Sequence, residues 1–459
     1  MQLTKKIVQR CHQLNLAGLS DEVVDRVKYL LLDYTGVAAR GSSSDSSLPV
    51  QNFILNSAPG REGAVVIGTK IKTIPPFAAL ANGVAAHSLE LDDVVNEASL
   101  HPAVVIMTTA LAAANIAGCH GKEFIEAIVA GYEVMVKLGA ALDPAAHYAR
   151  GFHPTGTCGT LGAAVTAARI LKLSQTAMMN ALGIAGSQAS GSMEFLAEGA
   201  FTKRFHPGWA AHSGIIAAML ARENYTGPGT IVEGKFGFLH AYSLKSDPDK
   251  VLPNWGSPYE VMRTSVKPHA CCRYKQGPID GILKLMADYR LRAADIEKIT
   301  VSILDAGFAL VAEPEEIKYN PKSIVDAQFS MPFGGAVAVL NGSASLEEYS
   351  TKNIHSARVK EVMKKIRCVK NPEIEKEFPK KWPAVVSILT TGGQEHTVRI
   401  DYPKGDPENP LSWSELIDKF RNLVSPVFSK DRQNKIIEKI TSIEKEENMV
   451  AFSELLVRA

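Results

Sequence analysis

The sequence predicts a mainly α-helical protein: a large all-helical domain carrying an inserted, smaller α+β domain. Three observations carry that expectation. Apolar residues recur at helical spacing through the first 264 residues, the pattern turns to alternation and a hairpin from about residue 265, and helical spacing returns after residue 402. The expected domains are therefore 1–264 (helical), 265–402 (α+β) and 403–459 (helical return).

The elements follow in order. Ser20 is placed to cap a helix with Asp21 and Glu22 in its first turn, and Val23, Val27, Leu30, Leu31 and Tyr34 follow at helical spacing. Phe124, Ile128, Tyr132 and Val136 repeat the pattern. Gly159 to Leu173 and Gly214 to Arg222 are rich in small residues and almost uncharged, as expected of helices packed closely inside a bundle. Pro278 to Tyr289 and His355 to Cys368 read as helices of the insert. Ile299, Val301 and Ile303 alternate with Thr300 and Ser302, the period of a half-buried strand. Val385 to Thr390, Gly392-Gly393 and Thr397 to Tyr402 read as a β-hairpin. Ser412 and Glu415 fit a capping box, and Ile436, Ile437, Ile440 and Ile443 mark a last helix.

Composition narrows the function. The 459 residues include 50 Lys+Arg and 48 Asp+Glu, a formal charge of +2, with 46 % hydrophobic and 21 % charged residues. Such a chain is too apolar for intrinsic disorder and has no basic excess with which to neutralise a phosphate backbone, so nucleic acid is not an expected partner. The longest uncharged apolar run, Ala103 to Cys119, is too short to span a bilayer comfortably, and no membrane partner is expected. The six cysteines (Cys11, Cys119, Cys158, Cys271, Cys272, Cys368) match neither a disulfide framework nor a zinc motif. Free thiols and an N-terminus without a secretory signal lead to an expected cytoplasmic location.

Four clusters carry candidate chemistry. The first runs from His87 to Pro102 and includes Glu90, Asp92, Asp93, Glu97 and His101. Acids beside imidazoles suit proton transfer. Two other uses stay open: Asp92 and Asp93 as caps of the following segment, or Asp92, Asp93 and His101 as metal ligands, although no recognised metal spacing is present. The second, Phe152 to Gly162, sets His153 ahead of glycines at every third position and Thr155, Thr157 and Thr160. It reads as a helix N-terminus able to bind a carboxylate, or as glycines that allow close packing. The third places Lys203, Arg204, His206 and His212 between two apolar helices, where cations need a bound carboxylate or acids of this chain. The fourth, Lys267 to Lys275, gathers His269, Cys271, Cys272 and Arg273 at the expected domain junction, where active sites are favoured and where a basic rim is the plainer alternative. Three of the four are cationic or anion-binding, which points to a small polyanionic substrate.

These segments, "HSLELDDVVNEASLHP", "GFHPTGTCGTLGAA", "TKRFHPGWAAHSG" and "KPHACCRY", resemble blocks of the MmgE/PrpD family in family order. That family includes 2-methylcitrate dehydratase, cis-aconitate decarboxylase and iminodisuccinate epimerase. The resemblance implies an all-helical domain with an inserted lid, a homodimer, and no metal or organic cofactor. It also implies site positions. His101, His153, Lys203 and Lys267 match family residues. Glu90 stands where the decarboxylase branch has aspartate, Val94 where it has threonine, Cys272 where it has histidine, and Phe333 where it has tyrosine.

The expected chemistry is proton movement at a carbon next to a carboxylate, through an enolate-like species that cations must stabilise. In this reading His101 and His153 move protons and Asp93 orients a histidine. Lys203 and Lys267, with N–H groups near Thr157 to Thr160, clamp carboxylates, and Arg204, His206 and Arg273 add to the cationic lining. The incomplete decarboxylase set puts methylcitrate-type dehydration first. Epimerisation of an iminodisuccinate-like dicarboxylate and non-catalytic polycarboxylate binding are the alternatives.

Overall fold

The computed structural model describes every residue except Met1, Pro59, Arg61, Pro379 and Ala459. The fold is mainly α, and the chain divides into two compact units. One comprises Met1–Ser88, Asp92–Thr264 and Ser412–Ala459; the other comprises Leu89–Leu91 and Ser265–Leu411. No helix among the described residues is long and apolar enough to cross a membrane.

The first unit is built on helices Asp21–Gly41, Pro75–Ala86, Ala103–Ala117, Gly121–Ala141, Pro154–Ile170 and Thr202–Arg222. Ser20 caps the first of these, its Oγ accepting from the Val23 N–H at 3.4 Å. Ala103–Ala117 and Pro154–Ile170 are buried along nearly their whole length, which accounts for their uncharged sequences. Close approach depends on glycine. Where Pro75–Ala86 crosses Thr202–Arg222, a Cβ on Gly208 would lie 2.3 Å from the Leu80 carbonyl oxygen, and one on Gly83 would lie 2.5 Å from the Gly208 Cα. The crossing is therefore backbone against backbone, and Gly208 follows Lys203 by five residues and His206 by two. Helix Trp413–Val424 returns to pack on Asp21–Gly41 and opens with the capping box Ser412–Glu415.

Two expectations are corrected here. Lys203 to His212 do not link two helices. They lie on one continuous helix that begins at Thr202, with Pro207 in its second turn. The helix marked by Ile436 is not the last, because Met449–Glu454 follows it.

The second unit holds a four-stranded sheet in the order Ile366–Lys370, Ile296–Ile303, Ala384–Thr390, Glu395–Ile400. The first pair is parallel, with Ile299 opposite Ile366, and the others are antiparallel. Helix Gln276–Asp288 packs on the hairpin strands, and Gly281 permits it: a Cβ there would sit 2.7 Å from Val386 Cγ2. The segment His355 to Cys368 is a helix only over Ala357–Lys365. From Ile366 the chain becomes a strand, because pairing with Ile299–Ile303 outweighs the helical spacing of its apolar residues.

Candidate active site

Four histidines converge inside the first unit, each placed by an element end. His87 closes helix Pro75–Ala86, His101 precedes helix Ala103–Ala117, His153 is the N-cap of Pro154–Ile170, and His206 lies in the second turn of Thr202–Arg222. Their rings form a continuous chain. Centroids are 5.0 Å apart for His87–His101, 5.8 Å for His87–His153 and 5.2 Å for His153–His206.

One carboxylate organises one end. Asp92 Oδ2 lies 2.7 Å from His87 Nδ1 and 2.9 Å from His101 Nδ1. His101 Nδ1 also lies 2.5 Å from the Asp93 backbone oxygen, which can only accept. The Nδ1 of His101 therefore carries a proton, and its Nε2 is the basic nitrogen when the ring is neutral. The same logic makes His87 a donor to Asp92 and leaves His87 Nε2 as an acceptor; this buried atom has no hydrogen-bond partner among the described residues.

Burial dominates the electrostatics. It pulls His87 down to about 4, against the opposing pull of Asp92, and His206 also to about 4, helped by the charges of His87 and Lys203. His153 lies well below the usual imidazole range, through burial and then its neighbours His206, His87 and Lys203. Asp93 is pushed well above the usual carboxyl range by burial and by Asp92.

The carboxylate of Asp93 does not orient a histidine. It accepts from the Ala103 N–H at 3.0 and 3.1 Å and from the Tyr132 hydroxyl at 2.9 Å, capping the next helix from ten residues before its start. Asp92 holds the rings instead. Thr157 and Thr160 are also turned to structure. The Thr157 N–H and hydroxyl are committed to the His153 carbonyl and to His147 Nε2, and the Thr160 hydroxyl donates to the Gly156 carbonyl at 2.9 Å. The helix starts at Pro154, so both threonines fall inside it rather than at an open end. The glycines there pack tightly, a Cβ on Gly156 meeting the Ser190 carbonyl oxygen at 2.4 Å. Arg204 reaches Ser46 Oγ at 3.4 Å and lies over the Phe201 ring, while the charge of Lys203 is felt by His87, His153 and His206.

His87, Asp92 and His101 each offer an atom within 4.8 Å of the others, a separation open to metal binding. The donor set argues for another use: a protonated His101 Nδ1 facing a carbonyl and two imidazoles sharing one oxygen make a hydrogen-bonded trio.

The remaining expected residues belong to the second unit. Lys267, 1 % exposed, has its Nζ 3.9 Å from Glu90 Oε2. Glu90 adopts φ +55°, a left-handed conformation uncommon outside glycine and often associated with function. Arg273 is committed to Asp406 by two contacts of 2.6 and 2.7 Å, so it serves as a structural ion pair rather than an open cation. The Cys272 N–H donates to the Gln328 carbonyl, and Cys272 is buried. Phe333 is fully buried, its ring 5.6 Å from that of Tyr349.

Sequence profiles of the MmgE/PrpD N-terminal domain and C-terminal domain match residues 5–250 and 269–445. The chain belongs to the MmgE/PrpD family. A cis-aconitate decarboxylase-like protein, oryM, of Aspergillus oryzae is 29 % identical over 96 % of this chain and 94 % of its own length. Proteins named cis-aconitate decarboxylase are similarly related: that of Aspergillus terreus is 26 % identical over 99 % of this chain and 96 % of its own length, and that of Mus musculus 28 % over 99 % and 93 %. The MmgE/PrpD protein described here is a lyase.

Proposed function

We propose that this lyase acts on a small di- or tricarboxylate by moving a proton at a carbon next to a carboxylate, without a metal or organic cofactor. The Asp92-bridged pair carries the reading: His101, with its Nδ1–H held by Asp92 and by the Asp93 carbonyl, has Nε2 as a ready base. His153 is the second proton carrier, and Lys203 supplies positive charge for the developing enolate. By family resemblance Lys267 is a second carboxylate cation, the α+β unit is a lid, and the protein works as a homodimer in the cytoplasm.

The names of the full-length relatives favour cis-aconitate decarboxylation. Val94, Cys272 and Phe333, which lack the decarboxylase branch's polar groups, favour methylcitrate-type dehydration. Incubation with cis-aconitate, 2-methylcitrate and iminodisuccinate in deuterated water, with and without chelator, separates them by NMR. Loss of carbon dioxide supports decarboxylation, loss of water dehydration, and deuterium exchange without elimination an epimerase. Turnover abolished by chelator and restored by metal overturns the cofactor-free mechanism. No turnover of any of the three, with saturable binding, replaces it with a binding role.

A further inference from the structure

The far end of the imidazole chain has a feature that acid–base catalysis by His101 does not use. His153 Nδ1 and His206 Nδ1 lie 3.0 Å apart, and the two residues are 2 % and 7 % exposed. A hydrogen bond between two ring nitrogens needs one N–H and one lone pair, so the Nδ1 positions share a single proton. In the neutral couple the donor ring has a basic Nε2. A proton added there yields imidazolium on one ring and keeps the Nδ1–H···Nδ1 bond. A second proton would have to set N–H against N–H and break it. The couple is thus built to hold one added charge.

Several groups face this chain within its unit. Asp92 is engaged with His87 and His101; Asp93 is bound to the Ala103 N–H and the Tyr132 hydroxyl; Lys203 acts from the start of its own helix; the Tyr148 hydroxyl donates to the Ser99 carbonyl. Phe195 packs against both rings of the couple. With both imidazoles neutral, the couple itself carries no charge to meet an incoming carboxylate.

We propose that the His153–His206 couple takes up a proton from solution when a carboxylate substrate binds, and that this shared charge is part of the substrate's binding site. The inference rests on the carboxylate-lyase reading and adds to it a proton-linked mode of recognition. Burial keeps the couple neutral at pH 7, and an anion within ~4–6 Å raises an imidazole by roughly 1–3 pKa units, which moves His206 up from about 4 toward the range in which it is charged in mildly acidic solution.

The test is isothermal titration calorimetry with tricarballylate, a saturated tricarboxylate with no group to eliminate, in buffers of different ionisation enthalpy. For the intact protein, uptake of a fraction of a proton at pH 7, growing as the pH is lowered toward about 5.5, is expected. His206→Asn and His206→Gln, checked for folding by thermal melting, keep an amide partner for His153 but cannot take the charge. Because His153 keeps a basic Nε2 when its Nδ1–H meets the amide oxygen, both should reduce the uptake, and the double variant His153→Asn/His206→Asn should abolish it and weaken binding roughly tenfold, the scale of one charge-assisted contact. Binding by the intact protein without uptake overturns this inference and leaves the lyase reading standing. Full uptake in the folded double variant overturns the assignment to the couple. Absence of any tricarballylate binding at millimolar concentration counts against both readings.

Discussion

Two buried polar groups, one in each unit, look alike in sequence and differ in structure. In the stretch Lys267 to Lys275 two of the cations are tied to protein partners: Arg273 to Asp406, and Lys275 to the Ala327 and Gln328 carbonyls at 3.0 and 3.1 Å with the Tyr349 ring 4.9 Å away. Burial lowers Lys275 to about 8, but its donors are used. In the histidine chain not every polar atom is met. Asp92 takes the Nδ1–H groups of two rings, and His87 Nε2 is left without a partner among the described residues. Residue type cannot separate a structural cation from a reactive base; the fate of each polar atom can.

That contrast breaks most visibly at His101. His101→Asn should lower kcat/KM by about 10²–10⁴-fold, the range for loss of a general acid or base, with little change in melting temperature. Retention of near-full turnover would remove His101 from the mechanism. Arg273→Ala should do the reverse: urea unfolding should show a loss of about 3–5 kcal/mol, because Asp406 is left buried without its partner. If the variant is stable and loses only substrate affinity, Arg273 is a substrate cation and the contrast fails. Asp92→Asn should reduce kcat by about 10–100-fold, the equivalent of one charge-assisted hydrogen bond. Asp93→Asn should instead cost about 1 kcal/mol of stability through the weakened cap on Ala103–Ala117. Matching effects at 92 and 93 would erase the distinction drawn between them.

The smallest effect is in acid stability. His87 and His206 are ordinary imidazoles in the unfolded chain and resist protonation in the fold until about pH 4. The unfolded chain therefore binds more protons below pH 6.5, and stability should fall as pH drops from about 6.5 to 4. Asp93, raised in the fold, works in the opposite sense, since its contribution is lost as pH rises. Denaturant melts of His206→Asn should show a shallower acid decline. An unchanged slope would mean that His206 titrates normally in the fold.

Helices and the hairpin were legible in sequence because caps and local periodicity determine them: Ser20, the Ser412–Glu415 box and the alternation at Ile299–Ile303 each appear where expected. Ile366–Lys370 was not, because its strand identity comes from a partner some 65 residues earlier in the chain. The four clusters were found as segments, yet their internal geometry was hidden. Choosing Asp92 over Asp93 depends on which of two adjacent side chains turns toward the rings. His87, at a helix end with no motif of its own, reads in the sequence only as the start of the acidic block. Tyr132 stood out only as part of a helix repeat, and its hydroxyl on Asp93 is a tertiary fact.

The Gly83–Gly208 crossing bears on any attempt to redesign substrate choice. With no side chains between the two backbones, the spacing there cannot be tuned by repacking; it is a fixed pivot. A single added methyl at 83 or 208 would act as a wedge, tilting the start of Thr202–Arg222 and moving Lys203 and His206 together relative to His87. Libraries meant to change specificity should hold these two glycines constant and vary the residues that face the rings, because a change at the pivot moves a base and a cation together and leaves no way to tell which of them mattered.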